Sequence, residues 1–348
     1  MHSKVSTAPF TNFSKSAPLR TFYFWCALVP QIAMLFASQS YRSLLLILAA
    51  VLGALCSEAR NYIRKKNVTL SAAYALLSGT LTGLFLPPEF PIASAFFTTF
   101  LFMYTAKKIF GNSGVSWINP VALTVTGAWF IGHVFFGTFT IAGADLLVKN
   151  PSLNLIDGAL LKNGVDEKLT LFLNDSIFSL FGVSIPNGYV SLFWDNHAAI
   201  PAFRFAFWTL IASLFLFSFD LINIEIPSVF LLVYCALVRF ASPIFTGGVP
   251  REGDLLLALL SGGVLFASVF LIYWPGTVPF SMAGKILYGA LGGVFAFIFC
   301  GTGTSPFGAV ATVLFMNIIS PALQVFETKS LRKRLSSLLA LELGEADK

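Results

Sequence analysis

Long apolar segments alternate with short polar connections along most of this chain. Most segments are long enough to cross a bilayer as helices, since about 20 helical residues at a rise of 1.5 Å cover a hydrocarbon core of ~30 Å. The pattern therefore predicts an all-α polytopic membrane protein with about ten transmembrane helices. The predicted spans cover residues 21–37, 43–57, 70–86, 92–106, 120–142, 201–219, 226–240, 255–272, 284–300 and 307–323.

The hydrophobic pattern contains an internal repeat. The letters ALLSG occur at residues 75–79 and again at 258–262, and a proline-containing turn follows each copy, PPEFP in the first and WPGTVP in the second. The copies lie in the third and eighth spans, and an odd number of spans reverses direction across the membrane. The repeat therefore predicts two five-helix units in inverted orientation, an arrangement in which ligands bind between the halves.

Composition excludes a soluble fold. The 348 residues are 56% apolar and 11% charged, whereas an average soluble domain carries about 25% charged residues. The net charge of +6 comes from short clusters beside the predicted spans, which indicate topology in a lipid bilayer and no nucleic-acid partner. The four cysteines stand far apart without a CxxC pair, so we expect small apolar side chains and no metal site.

Basic residues cluster on one predicted face of the membrane. They occur in the amino tail, at residues 60–66, at Lys107 and Lys108, and at residues 329–334. Because basic loops mark the cytoplasmic side, we expect both termini in the cytoplasm. The predicted division is a cytoplasmic tail (1–20), a first five-helix repeat (21–142), an extracytoplasmic loop (143–200), a second repeat (201–326) and a cytoplasmic tail (327–348).

A glycine-rich turn before the fifth span is a candidate binding site. Gly111 and Gly114 precede Asn119 and Pro120, where the span begins. Backbone N–H groups at such a helix start could meet the phosphate or ring carbonyl of a ligand. A tight turn capped by Asn119 explains the same residues equally well. Asn317 is an intramembrane amide, for which a helix-to-helix hydrogen bond is the favoured interpretation and a ligand contact the alternative.

Two pairs of glycines have the spacing that permits close helix packing. Gly79 and Gly83 lie in the third span, and Gly289 and Gly293 lie in the ninth. We expect neighbouring helices to approach closely at both pairs.

Several motifs agree at once with one known family. The runs LSGTLTGLFLPPEFP, KKIFGNSGVSWINPVAL, FDLINIEIPSVFLL, LLSGGVLFASVF, GKILYGALGG and FMNIISP, in this order, resemble the RnfD/NqrB family of membrane subunits. The resemblance extends from about residue 18 to 321. It implies a ten-helix subunit of a bacterial cytoplasmic-membrane complex, with other membrane and peripheral subunits, that couples electron transfer to movement of Na⁺ or H⁺. It also implies FMN on a threonine of an extracytoplasmic loop and a second flavin, FMN or riboflavin, held noncovalently.

The covalent flavin site of that family has no evident counterpart in this chain. Residues 155–164 contain neither Ser nor Thr, whereas the family carries a threonine motif in this loop. Thr170 is the nearest threonine downstream, but it lies in LTLFL without the glycine and proline that would shape a turn around a phosphate. We therefore expect no covalent flavin. The family's acidic turn after the eighth span is also replaced, here by Tyr273-Trp274-Pro275.

Three functions stay open at the level of the sequence. The first is a D-type subunit of an Rnf-like ion-translocating complex, whose own redox activity is open. The second is an inverted-repeat transporter of a neutral solute, because the spans hold few charges. The third is a noncatalytic assembly subunit that has lost its covalent flavin. Flavin content separates the first from the others, and copurifying subunits separate the third from the second.

Overall fold

The computed structural model describes residues 16–63, 68–111, 116–139, 164–182, 184–246, 253–301, 305 and 307–346. Every regular element within these ranges is helical, and they contain no strand. The predicted class, an all-α polytopic membrane protein, is confirmed.

The first half of the chain contributes six of the described α-helices. They are α1 (Ala17–Ala37), α2 (Tyr41–Ser57), α3 (Ala59–Ile63), α4 (Val68–Leu84), α5 (Ile92–Ile109) and α6 (Pro120–Ile131). A π-helical turn, Gly132–Phe136, extends α6. Gly137 then adopts a left-handed φ of 63°, a conformation that ends helices and suits glycine. The fifth span therefore ends before residue 142, where the sequence predicted its end.

The rest of the chain forms shorter helices and then two long ones. They are α7 (Gly164–Ser176), α8 (Tyr189–Trp194), α9 (Pro201–Arg204), α10 (Ala206–Ser218), α11 (Glu225–Phe240), α12 (Ser242–Thr246), α13 (Leu255–Ser261), α14 (Val264–Phe270), α15 (Met282–Cys300) and α16 (Gly308–Ala346). Helices α7 and α8 lie in the segment predicted as an extracytoplasmic loop. Helix α16 continues far past residue 323, so the predicted carboxy-terminal tail is helical through Ala346.

Helical segments occupy each of the ten predicted spans. Among the described residues, three helices are long and apolar enough to cross a membrane by themselves: Ala17–Ala37, Met282–Cys300 and Gly308–Lys333. Four shorter apolar helices cover Tyr41–Ser57, Val68–Leu84, Pro120–Phe136 and Ala206–Ser218. The number of ten crossings therefore stays a prediction.

The eighth span is interrupted in its middle. Gly262 is extended, with φ −108° and ψ 169°, and separates α13 from α14. A Cβ added to Gly263 would lie 2.1 Å from the ring of Phe203. The ring therefore leaves no room for a side chain at residue 263. The predicted span 255–272 therefore consists of two short helices, α13 and α14. Interrupted helices in membrane proteins commonly line binding sites.

Helix pairings in the first half recur five spans later. Helix α2 packs on α5 and α11 packs on α15, while α5 packs on α6 and α15 on α16. Helix α1 packs on α4 as α10 packs on α14. Contacts of α1 with α10 and of α6 with α16 join the two halves. This is the contact pattern that a duplicated five-helix unit requires. The inverted orientation and the domain boundaries stay predictions.

Both glycine pairs lie at close helix contacts, as predicted. Added Cβ atoms at Gly79 and Gly83 would lie 2.6 and 2.5 Å from backbone atoms of α2. At Gly289 and Gly293 they would lie 2.9 and 2.6 Å from carbonyl oxygens of α11. Any side chain at these four positions would push the paired helices apart.

Polar contacts join connections that the charge rule places on the same face. They are the pairs Lys107 with Glu58 and Ser281 with Glu327 on one face, and Arg204 with Ser40 on the other. The connection between spans 2 and 3 thus contacts the connection between spans 4 and 5. The segment after span 8 likewise contacts the segment after span 10. Which face is cytoplasmic stays a prediction.

Candidate functional site

A cavity of about 590 Å³ lies between the two halves of the chain. It is bounded by the start of α1, the first half of α4, the connection from α10 to α11, and the turn from α14 to α15. Its volume is within the range of small-molecule sites. Six aromatic side chains line it: Phe24, Tyr74, Phe270, Tyr273, Trp274 and Phe280.

The turn after α14 fixes the position of Trp274 in the cavity wall. The backbone carbonyl of Trp274 accepts hydrogen bonds from the N–H of Thr277 at 3.1 Å and from its hydroxyl at 2.9 Å. Gly276 permits this turn with a φ of 94°. The Trp274 side chain is only 3% exposed, and its Nε1 has no hydrogen-bond partner among the described residues. A buried donor without a partner marks a place where a ligand or water can accept a hydrogen bond.

Tyr74 completes this side of the wall. Its ring meets the Trp274 ring edge to face, with centroids 5.6 Å apart and planes at 73°. This geometry is the favoured one for aromatic pairs. Because Tyr74 belongs to α4 and Trp274 follows α14, the pair joins the first half of the chain to the second at the cavity.

The cavity wall also carries two cationic side chains. Arg20 from α1 and Lys285 from the first turn of α15 both line it. The Tyr273 hydroxyl donates to the Asn223 side-chain oxygen at 3.3 Å. Burial raises the pKa of Tyr273, with a smaller lowering by Arg20 and a raising by Glu225, so its phenol stays neutral. The carboxylates of Glu225 and Glu327 also lie close by, so the two cations offer local contacts for an anionic group on a ligand rather than a net positive charge.

Asn119 lies beside this site, where it acts as a structural cap. It is fully buried, and its side-chain oxygen accepts from the N–H groups of Val121 at 2.9 Å and Ala122 at 3.2 Å. Its amide donates to the Leu271 carbonyl at 2.9 Å. The capped-turn interpretation is confirmed, and these two N–H groups are occupied by Asn119. Pro120 is the first residue of α6.

Of the other predicted site residues, Gly111 and Asn317 do not line the cavity. Gly111 ends α5 with a φ of 119°, and Gly114 lies outside the described residues. Asn317 is 1% exposed, and neither side-chain atom has a hydrogen-bond partner among the described residues. The described residues therefore supply no helix-to-helix hydrogen bond to Asn317, and its role stays a prediction.

Thr170 is a poor candidate for covalent attachment. It lies in α7 at 1% exposure, and its hydroxyl is buried. A phosphoester at this atom would require the helix to move away from its packing. Residues 155–163, where the family carries its threonine motif, lie outside the described residues. Within the described part of the chain, no three His, Cys, Asp or Glu side chains are grouped to hold a metal.

Sequence reasoning missed most of the residues that line the cavity. A signal was available for Lys285, which is the only charged residue between Asp254 and Glu327. Trp274 was noted as a replacement for a family acid, in the turn at Pro275 near which a retained noncovalent flavin was expected between the two halves. Arg20 and Asn223 carried no local signal, because their proximity to the turn arises from the packing of distant helices.

The fold defines a polytopic helical membrane protein with a cavity between the two halves of the chain. The family model described as the NQR2, RnfD, RnfE family matches residues 4–332, and the chain belongs to that family. Similar proteins include the D-type subunit of the ion-translocating oxidoreductase complex of Escherichia coli (strain K12), 25% identical, with 93% of this chain and 96% of the relative covered. The equivalent proteins from Cronobacter sakazakii (strain ATCC BAA-894) and Shigella boydii serotype 18 are 25% and 26% identical, also over 93% of this chain and over 97% and 96% of those relatives.

Proposed function

We propose that this chain serves as the D-type subunit of an ion-translocating oxidoreductase complex in a bacterial cytoplasmic membrane. Family membership over residues 4–332 supports this role, as do relatives of that name that match along almost their whole length. In this role the chain assembles with other membrane and peripheral subunits, and the complex couples electron transfer to Na⁺ or H⁺ movement.

Within the complex, the cavity of this chain holds a noncovalent flavin, FMN or riboflavin. The residues fit such a group, since aromatic rings line a space of about 590 Å³ and the buried Trp274 Nε1 lacks a partner among the described residues. A bound flavin supplies reversible acceptance and donation of electrons. Trp274 would donate a hydrogen bond to an acceptor of the bound group, and Tyr74 packs edge to face on the Trp274 ring. Arg20 and Lys285 would hold an anionic group such as a phosphate.

The unpartnered Trp274 Nε1 is the observation that carries this assignment. A donor left unpaired in a packed interior costs about 1–3 kcal/mol. A ligand with an acceptor atom at this position removes that cost. The cavity also lies between the two repeats, where inverted-repeat membrane proteins bind their ligands.

Purification of the tagged chain from its native membranes tests the role. We expect other subunits to copurify, and membrane vesicles that lack the chain to lose redox-driven ion uptake. Complementation with the wild-type gene should restore uptake, and complementation with Trp274→Ala should restore assembly but little uptake. A complex with full uptake from the Trp274→Ala chain would indicate an assembly subunit. A chain that purifies alone and transports a neutral solute would contradict the proposal.

A further inference from the structure

A buried ion pair lies behind the aromatic wall of the cavity. Glu58 follows α2, and Lys107 lies in the last turn of α5. Their side chains form a salt bridge at relative exposures of 1% and 15%. Removing two charges from water is costly, and the cost is greater beside a membrane. A pair this buried needs a reason beyond stability, because apolar residues could fill the same space at lower cost.

The cation of this pair is in contact with the cavity wall. The Lys107 Nζ lies 6.0 Å from the centroid of the Tyr74 ring, within the range of a cation–π interaction. Tyr74 is 5% exposed and packs edge to face against Trp274. One contiguous set of contacts thus runs from Glu58 through Lys107 and Tyr74 to Trp274.

We propose that Glu58 and Lys107 are positioning residues for the cavity. Glu58 holds Lys107, Lys107 holds the Tyr74 ring, and Tyr74 fixes the angle at which Trp274 presents its Nε1 to a ligand. The inference rests on the proposed function, because it assumes that the cavity binds a flavin. Neither positioning residue lines the cavity, so both act through the two rings.

Lys108 provides a matched control within the same helix turn. Its Nζ lies 4.7 Å from the Tyr104 ring centroid, so it also makes a cation–π contact. Neither Lys108 nor Tyr104 lines the cavity. Loss of Lys108 therefore removes the same charge and the same kind of contact without touching the proposed set.

The main test uses the double variant Glu58→Gln with Lys107→Met in the purified, flavin-depleted full chain. Removing both charges leaves no unpaired buried charge, so the fold should persist. FMN is then added, and its affinity and the quenching of its fluorescence at saturation are measured. We expect about tenfold weaker binding, the equivalent of one lost cation–π contact, and weaker quenching as Trp274 moves. Lys107→Arg should retain both properties, as should Lys108→Met.

A second variant keeps the test valid if the double variant folds poorly. Tyr74→Leu leaves the ion pair intact but removes the ring that transmits its effect. It should weaken binding and quenching as the double variant does, and adding Glu58→Gln with Lys107→Met to it should cause little further loss. Independent, multiplicative losses would contradict the proposed set of contacts.

The outcomes separate this inference from the proposed function. One outcome is that wild type, Lys108→Met and the double variant all bind FMN with the same affinity and the same quenching. The positioning role is then wrong, and the flavin site stands. If Lys108→Met loses as much affinity and quenching as the double variant, the effect is one of general charge, and the inference is again wrong. If wild-type chain binds neither FMN nor riboflavin, the flavin assignment itself fails and the inference fails with it.

Discussion

The side-chain amide of Asn119 donates a hydrogen bond of 2.9 Å to the backbone carbonyl of Leu271. Asn119 caps α6 in the first half of the chain, and Leu271 follows α14 in the second. The bond therefore joins the two halves of the chain three residues before Trp274. A residue for which the sequence left a helix cap and a ligand contact equally open thus caps α6 and holds the start of the turn that carries the cavity wall.

Asn119→Ala should destabilise the protein through two separate losses. Loss of the helix cap costs about 1 kcal/mol, and an unsatisfied Leu271 carbonyl costs about 1–3 kcal/mol. Asn119→Ser retains a capping oxygen and loses only the amide donor. Thermal unfolding in detergent should rank wild type above Asn119→Ser and Asn119→Ser above Asn119→Ala. Equal midpoints for Ser and Ala would show that the cap contributes nothing.

Glu327 should hold the turn that closes the cavity. Its carboxylate accepts from the N–H groups of Phe280 at 3.0 Å and Ser281 at 2.9 Å, at the start of α15. Hydrogen bonds to charged groups are worth about 1.5–3 kcal/mol. Glu327→Ala should therefore speed release of bound FMN, measured by stopped-flow dilution. Thr328→Ala, its exposed neighbour, is the control, and equal release rates from the two variants would exclude this role.

The cations of the cavity should favour a phosphorylated flavin. Arg20 and Lys285 both line the cavity, and charge-assisted contacts to a phosphate are strong. Wild-type protein should bind FMN about tenfold or more tightly than riboflavin. Arg20→Gln with Lys285→Gln should remove this preference while leaving riboflavin affinity nearly unchanged. Lys329→Gln serves as the charge control. Equal affinities of wild type for both flavins would contradict the role of the two cations.

Periodicity and charge predicted the helical class, the segments and the close packing at Gly79 and Gly289, because these depend on local residue type. They did not predict the interruption at Gly262, beside which Gly263 packs against the ring of Phe203, a residue distant in sequence. Sequence alone also did not place residues such as Arg20 and Asn223 at the cavity, because helices far apart in sequence bring them together. For Asn119 the sequence predicted a special role at a helix start. It did not decide between a cap and a ligand contact, because an asparagine at this position suits both.

Topology can be tested by cysteine labelling from each side of the membrane. Asp175 in α7 and Lys333 in α16 are both exposed, and the charge rule places them on opposite sides. In a Cys56→Ser background, which removes the one exposed native cysteine among the four, we expect Asp175→Cys to react with an impermeant maleimide from outside. Lys333→Cys should react only after permeabilisation. Reaction of both from the same side would contradict the ten-span topology.

The cavity beside Trp274 is proposed to carry a noncovalent flavin, and the complex as purified offers the most direct test. The measurement is the flavin that acid denaturation releases from the wild-type complex, compared with the same complex carrying Trp274→Ala. We predict that wild type releases about one flavin per chain more than the variant, and that the band of this chain on a denaturing gel shows no flavin fluorescence. Equal release from both complexes, or a fluorescent band with FMN mapped to Thr170 or elsewhere in residues 143–200, would contradict the account.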